Sequence, residues 1–302
     1  EAAIKSGVAR KEIKDFDLYK DQLSNRLDPS MSLMQGINAK IRKNPKRVIF
    51  AEGEDENMLK AAIEFGRNKL GIPVLIGVEK RIRDQLKKIG LDENYKIEII
   101  NSTDKEKREK YVKHLYKKLQ REGQLERDVD RLVRNDRIAW GSSMIACKDA
   151  DAMVTGNIRH YAASIEKLKK VVEPRPGEEI FGMTMLVSKG KTILVADTNV
   201  KDFPSSERLV KVSKSCVRVA RLFGFDPKVA FLSHSTFGKP ISKNTKHVRD
   251  AIEFLKKEKV DFDFDGEMQP DVALNPIYQE IYPFSKIVGN ANILIMPALQ
   301  RN

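Results

Sequence analysis

Short apolar runs alternate with stretches of helical periodicity along most of the chain, and that alternation predicts the architecture. Val48-Ile49-Phe50 is a run of buried-strand length halted by Glu52-Gly53. Residues 57–70 then place Leu59, Ala62, Ile63 and Phe65 at helical spacing. Val74-Leu75-Ile76 predicts the next strand, residues 80–89 a helix and residues 96–100 a third strand. A charged helix is predicted over 105–122, stopped by Gly123, and another over 132–148, leading to a buried strand at Ala152-Met153-Val154. Strands separated by helices in this way imply a parallel sheet with right-handed crossovers.

The pattern changes near residue 178. Residues 182–188 and 192–196 flank Lys189-Gly190 and predict an antiparallel hairpin. Ser205-Ser206-Glu207 starts a helix that Gly224 stops. A strand over 228–233, a helix over 246–259, the alternating run Val260, Phe262, Phe264 and a last strand over 292–296 follow. The predicted fold is a three-layer α/β/α protein in two lobes with a mostly parallel sheet. The first lobe takes 38–165 and returns over 286–302; the second, 166–285, is inserted and carries the hairpin. Residues 1–37 read as a linker with helices, among them an amphipathic one over 15–25, and EAAIKSGVARKEI reads as a helix end inside a longer polypeptide.

Composition narrows the function. No apolar run approaches the roughly 18–20 residues that span a bilayer, and no secretory segment is visible, so a cytoplasmic protein without a membrane partner is expected. Cys147 and Cys216 read as reduced, buried thiols. The four histidines lack paired spacing, and no metal is expected. The net charge of +13 favours anionic partners, but the basic residues are spread along helices and no nucleic-acid module appears. A nucleic-acid role is therefore not expected.

The candidate chemistry lies at the ends of the predicted strands. Asp265-Gly266-Glu267 puts a glycine between two carboxylates, as a tight turn at a strand end. Glu52-Gly53-Glu54-Asp55, Thr155-Gly156-Asn157, Asp197-Thr198-Asn199 and the stretch from Ser233 to Gly238 are also small and polar after apolar strands. In open α/β sheets such ends line a ligand crevice. Gly190-Lys191-Thr192 resembles the tail of a phosphate-binding loop, but Met185 stands where that loop needs glycine. No GxGxxG opens a helix after the first strand, and neither Ser233 nor Ser235 sits in GxSxG. His234 reads as a hydrogen-bonding pocket residue before a general base.

In order, RVIFAEGED, DADAMVTG, GMTMLV, ADTNV, VAFLSHSTFG, DGEMQPDVAL and ANILIMP resemble the phosphotransacetylase (phosphate acetyl/butyryl transferase) family, over roughly residues 40–302. Within it the chain most resembles the phosphotransacetylase-like carboxyl-terminal domain of bacterial NADP-dependent malic enzymes. Ser6–Arg10 and DFDLYKDQL look like the junction with the malic domain. The resemblance implies an isopropylmalate-dehydrogenase-like fold and a homodimer through the second lobe, with larger assembly in the full polypeptide. It implies acetyl-CoA or another CoA ester as ligand and no cofactor in this segment, with NADP and Mg or Mn belonging to the malic domain. The implied function is sensing of acetyl-CoA within an enzyme that converts malate to pyruvate and CO2; the alternative is an active phosphate acetyltransferase.

Active members carry a histidine-, serine- and threonine-rich segment that runs to an arginine-proline pair. This sequence has GNIRHYAASIEK instead, with Glu166-Lys167 where the pair falls, which argues for weak or absent transferase activity. The family's serine-arginine pair and aspartate near its carboxyl terminus are not reached within the 302 residues. Gly156, Asn157 and Arg159 lie where active members handle substrate, Arg159 being the candidate anion contact. Asp197, Thr198 and Asn199 are read as pocket floor. Ser233, Ser235, Thr236 and Gly238 are read as an acyl- or phosphate-facing loop, and Asp265, Glu267 and Gln269 as the opposite wall.

Overall fold

The computed structural model describes residues 19, 29–92, 95–101, 104–188, 191–198, 203–240 and 245–297. The predicted 15–25 helix, the Ser6–Arg10 junction, the Lys189-Gly190 turn and Asn199 lie outside them. Two compact units divide the chain, one of Ile37–Glu173 and the other of Pro174–Asn302 with Glu1–Gly36. Helix α1 (Pro29–Lys43) leads into the first. Among the described residues no helix is long and apolar enough to cross a membrane.

The first unit is built on β1 (Arg47–Phe50), β2 (Ile72–Ile76), β3 (Glu98–Ile100) and β4 (Ala152–Val154), in the order β3-β2-β1-β4. Every pair is parallel, as the alternation of strand and helix predicts. Side chains alternate across the sheet with period two, so Ile49, Val74 and Ile76 enter one core and Phe50 and Leu75 the other. Helices α2 (Glu56–Arg67) and α3 (Glu79–Lys88) bury Leu59, Ile63, Ile82 and Leu86 against the second set. Helices α4 (Lys105–Leu119), α5 (Glu126–Asn135) and α6 (Arg137–Ala146) cover the first, where Tyr111 meets Trp140 edge-on at 5.1 Å. Helix α7 (Tyr161–Val171) follows β4.

Two expectations change here. The helix predicted over 132–148 is two helices, because Asp136 is extended between them (φ −122°, ψ 117°). Its Oδ1 accepts the Ile138 and Ala139 amides at 2.9 and 3.1 Å, and this short-range competition with the backbone ends α5 and starts α6. The strand expected to be buried, β4, is an edge strand with Val154 43% exposed.

The second unit holds β5 (Met183–Ser188), β6 (Lys191–Ala196), β7 (Lys228–Leu232), β8 (Asp263–Met268) and β9 (Ile293–Ile295), in the order β5-β6-β9-β7-β8. The β5–β6 pair is the predicted antiparallel hairpin; the other pairs are parallel. Helices α8 (Ser206–Leu222) and α9 (Lys246–Glu258) cover one face, and α10 (Pro270–Leu274) with Ile287 and Ala291 the other. A short helix, α11 (Pro276–Gln279), follows α10.

The placement of 286–302 in the first lobe does not hold for β9, which pairs with β6 and β7 at the centre of this second sheet. Its fully apolar Ile293-Leu294-Ile295 is a strand buried on both faces; the apolar run identifies the strand but not its neighbours. Asp265-Gly266-Glu267 is not a turn after a strand either. It lies inside β8, with Asp265 opposite Ala230 and Gly266 opposite Phe231, after which the register jumps to Leu232 opposite Met268. Glu267 is thus the extra residue of a bulge. Gly266 serves close packing: a Cβ there would lie 2.6 Å from the Phe231 carbonyl oxygen.

Candidate functional site

The strand ends expected to form one crevice divide between the two sheets. In the first unit the carboxyl ends of the adjacent strands β1 and β4 carry Glu52 and Thr155-Gly156-Asn157. Glu52 is buried, and its Oε1 accepts from the Thr155 hydroxyl at 2.8 Å and the Gly156 amide at 3.1 Å. Its Oε2 is buried without a hydrogen-bond partner among the described residues. The Asn157 side-chain amide donates to Asp55 at 2.6 Å, and Asp55 itself caps α2 through the Met58 amide.

Arg159 is paired with a carboxylate. Its guanidinium donates to Asp136 Oδ2 at 2.9 Å, and the Lys167 ammonium contacts the same oxygen. Glu166, next to Lys167 on α7, is exposed. Burial opposes ionisation of Asp136, but Lys167, the Ala139 amide and Arg159 together hold its carboxyl below the usual aspartate range. A carboxylate with a lowered folded-state pKa stabilises fully above its unfolded value, about 3.9, and loses that contribution as pH falls through the folded value. Asp136→Asn is therefore expected to cost about 1–3 kcal/mol at pH 7, and the gap to the unsubstituted protein should close below about pH 4. Urea midpoints measured across that range check this; a gap independent of pH would contradict it.

In the second unit β6, β9, β7 and β8 are parallel, so their carboxyl ends share one sheet edge. At the end of β6, Asp197 Oδ1 accepts the Gly182 amide at 2.7 Å and Oδ2 accepts from Arg208 at 2.6 Å. Buried Arg208 also reaches the Ile180 carbonyl at 2.8 Å and contacts Glu179. The Thr198 amide donates to the Gly182 carbonyl at 3.1 Å. Asp197 and Thr198 thus tie β6 to the segment before β5, with both carboxylate oxygens of Asp197 engaged.

A second network joins β7 to β8. The Ser235 hydroxyl donates to Glu267 Oε1 at 2.7 Å and lies 3.2 Å from the Ser233 hydroxyl. Arg249 on α9 donates to the same Glu267 oxygen at 2.9 Å. The Gln269 side chain donates to the His234 carbonyl at 2.7 Å, and its backbone amide to the Thr236 hydroxyl at 3.2 Å. Gly238, at φ +89°, closes this loop. Asp265 stands apart: its carboxylate accepts the Gly266 and Lys286 amides at 2.9 and 2.7 Å.

The structure therefore joins Ser233, Ser235, Thr236, Glu267 and Gln269, and separately Asp197 and Thr198. Sequence reasoning missed Asp136, Arg208 and Arg249, the side chains that neutralise the others. Arg208 and Arg249 did leave a signal. Each stands in the first turn of a helix, where the helix dipole disfavours a cation unless a carboxylate compensates it.

The chain as a whole is similar to known proteins. The family model for phosphate acetyl/butaryl transferase matches residues 32–301. An NADP-dependent malic enzyme of Rhizobium meliloti (strain 1021) is 42% identical over 298 residues, 98% of this chain and 39% of that protein. The chain thus spans about two fifths of that relative's length. A phosphate acetyltransferase of Clostridium acetobutylicum is 29% identical, covering 89% of this chain and 83% of that protein. The crystal structure of a phosphotransacetylase from Streptococcus pyogenes superposes with a TM-score of 0.78 at 28% identity, covering 89% of this chain and 82% of that one. With the family model matching most of its length and the overall fold in agreement, the chain belongs to the phosphate acetyl/butaryl transferase family.

Proposed function

We propose that this chain is the acetyl-CoA-binding regulatory part of an NADP-dependent malic enzyme, weak or inactive as a transferase. The observation that carries the reading is the 42% identity with a malic enzyme over 98% of the chain, against 29% with a phosphate acetyltransferase. The electrostatics support the weak-transfer part. Acetyl transfer to phosphate needs cations that hold a phosphate dianion and an oxyanion beside the thioester. Arg159 and Lys167 are paired with Asp136, Arg208 with Asp197 and Glu179, and Arg249 with Glu267. Phosphate would have to compete with a carboxylate at Arg208 and Arg249, while Asp136 offsets one of the two charges of Arg159 and Lys167.

In the full polypeptide, malate oxidation with NADP and Mg or Mn belongs to the remaining sequence, and acetyl-CoA held here lowers that activity. Control of this kind requires acetyl-CoA to bind two arrangements of the protein with different affinity. A cytoplasmic homodimer joined through the second unit completes the proposal. Ile277, Ile281, Phe284 and Val288 support it, being 64–76% exposed within a short stretch of that unit, as apolar side chains at an interface would be in a lone chain. The test is titration of the chain with acetyl-CoA alongside its mass in solution. A saturable isotherm and a dimeric mass are expected; no binding sinks the sensor, and a monomeric mass sinks the dimer.

A further inference from the structure

The proton positions in the serine network follow from counting donors. A hydroxyl has one proton, and Ser235 gives its proton to Glu267 Oε1. In the 3.2 Å contact between the two serines, Ser233 must then be the donor. Ser233 Oγ also accepts the Ser235 amide at 3.2 Å. Both hydroxyl protons are therefore directed inward along Ser233, Ser235 and Glu267, and Arg249 fixes Glu267 Oε1 as the acceptor at the end of the chain. Four neighbouring amides are also committed. Those of Ser233 and Phe237 donate to carbonyls of Met268 and Glu267, and those of Thr236 and Lys239 donate to each other's carbonyls.

On the serine pair itself, what remains is an acceptor. Ser235 is fully buried, while Ser233 is 9% exposed and keeps one lone pair. Glu267 Oε2 is buried and has no hydrogen-bond partner among the described residues. Phosphate brings acceptors and negative charge, so it gains nothing from this pair. An amide N–H brings what the pair lacks.

We propose that Glu267 sets the hydrogen-bond polarity of the serine pair, so that Ser233 accepts from a ligand N–H and turns phosphate away. This rests on the reading that a CoA thioester docks at this sheet edge, where an amide of its pantetheine arm supplies the N–H. Of the two sequence expectations for this loop, acyl-facing or phosphate-facing, it favours the first, and it makes Glu267 a specificity-determining positioning residue.

Two substitutions of similar size separate polarity from charge. Glu267→Gln keeps an oxygen for Arg249 and Ser235, and so keeps the protons inward while removing the negative charge. Glu267→Met removes the acceptor and frees the serine protons to turn outward. Each variant is titrated by calorimetry with inorganic phosphate at constant ionic strength, and with acetyl-CoA, after thermal unfolding has shown it folded. Glu267→Met should bind phosphate about three- to tenfold more tightly than Glu267→Gln, and adding Ser233→Ala should abolish that gain. Ser233→Ala alone should weaken acetyl-CoA by about three- to tenfold and leave phosphate unchanged.

Equal phosphate gains in the Gln and Met variants would mean that charge alone acts, and would overturn the proposal. So would phosphate weakening in Ser233→Ala alone, a measurement that stands even if Glu267→Met does not fold. If the unsubstituted chain ignores acetyl-CoA while the phosphate pattern appears as described, the polarity stands and the acetyl-CoA reading falls.

Discussion

Arg208→Ala is expected to destabilise the chain by about 3–5 kcal/mol, the cost typical of removing one partner of a buried ion pair. The Asp197 side chain is 3% exposed and that of Arg208 is 7% exposed, so water cannot replace the lost guanidinium. The same guanidinium contacts Glu179 and the Ile180 carbonyl, so its loss also unties the segment before β5 from α8. Arg208→Lys should recover only part of the loss, because an ammonium is a point charge and cannot hold three acceptors in a planar fork. Urea unfolding followed by circular dichroism measures both. A loss under about 1 kcal/mol for the alanine variant would show that Asp197 finds another partner.

Gly266→Ala should cost about 3 kcal/mol or more, although it adds a single methyl group. Gly266 has φ +145°, where side-chain-bearing residues are strained, and its new Cβ would stand 2.6 Å from the Phe231 carbonyl oxygen. That oxygen belongs to β7, the strand that carries the serine loop, and backbone held between β8 and β9 has little room to move. Gly36→Ala is the matched control. Gly36 lies in α1 with nothing within 4 Å of its Cβ position, so alanine there should be neutral or stabilising by about 0.5–1 kcal/mol. Similar unfolding midpoints for the two variants would contradict the packing argument.

The strands and helices were readable because each leaves a local pattern. Ile49, Val74 and Ile76 against Phe50 and Leu75 give both faces of the first sheet from position alone. Connectivity was less readable. The apolar Ile293-Leu294-Ile295 says that β9 is buried, but nothing local says that Leu194 and Val229 are its partners. The bulge at Glu267 hid for a similar reason: a glycine between acids reads as a turn until β7 is seen beside it.

The candidate site was legible as a set of residue types and not as a set of free groups. Arg159 looked available to an anion because its partner Asp136 lies on another helix junction, 23 residues away in sequence. Asp197 looked like an open floor and Glu267 like an open wall because their partners Arg208 and Arg249 come from separate helices. Pairing between distant charges depends on tertiary placement, which no local window contains.

Binding without turnover is the claim on which the account depends, and release of free thiol in phosphate buffer tests it most directly. The chain is incubated with acetyl-CoA and phosphate under conditions where calorimetry shows the ligand bound, and thiol is followed with a chromogenic disulfide. The account predicts a saturable isotherm that returns to baseline, with thiol no faster than in the protein-free control. Sustained thiol release that scales with protein and requires phosphate would mean acetyl transfer, and would contradict the account.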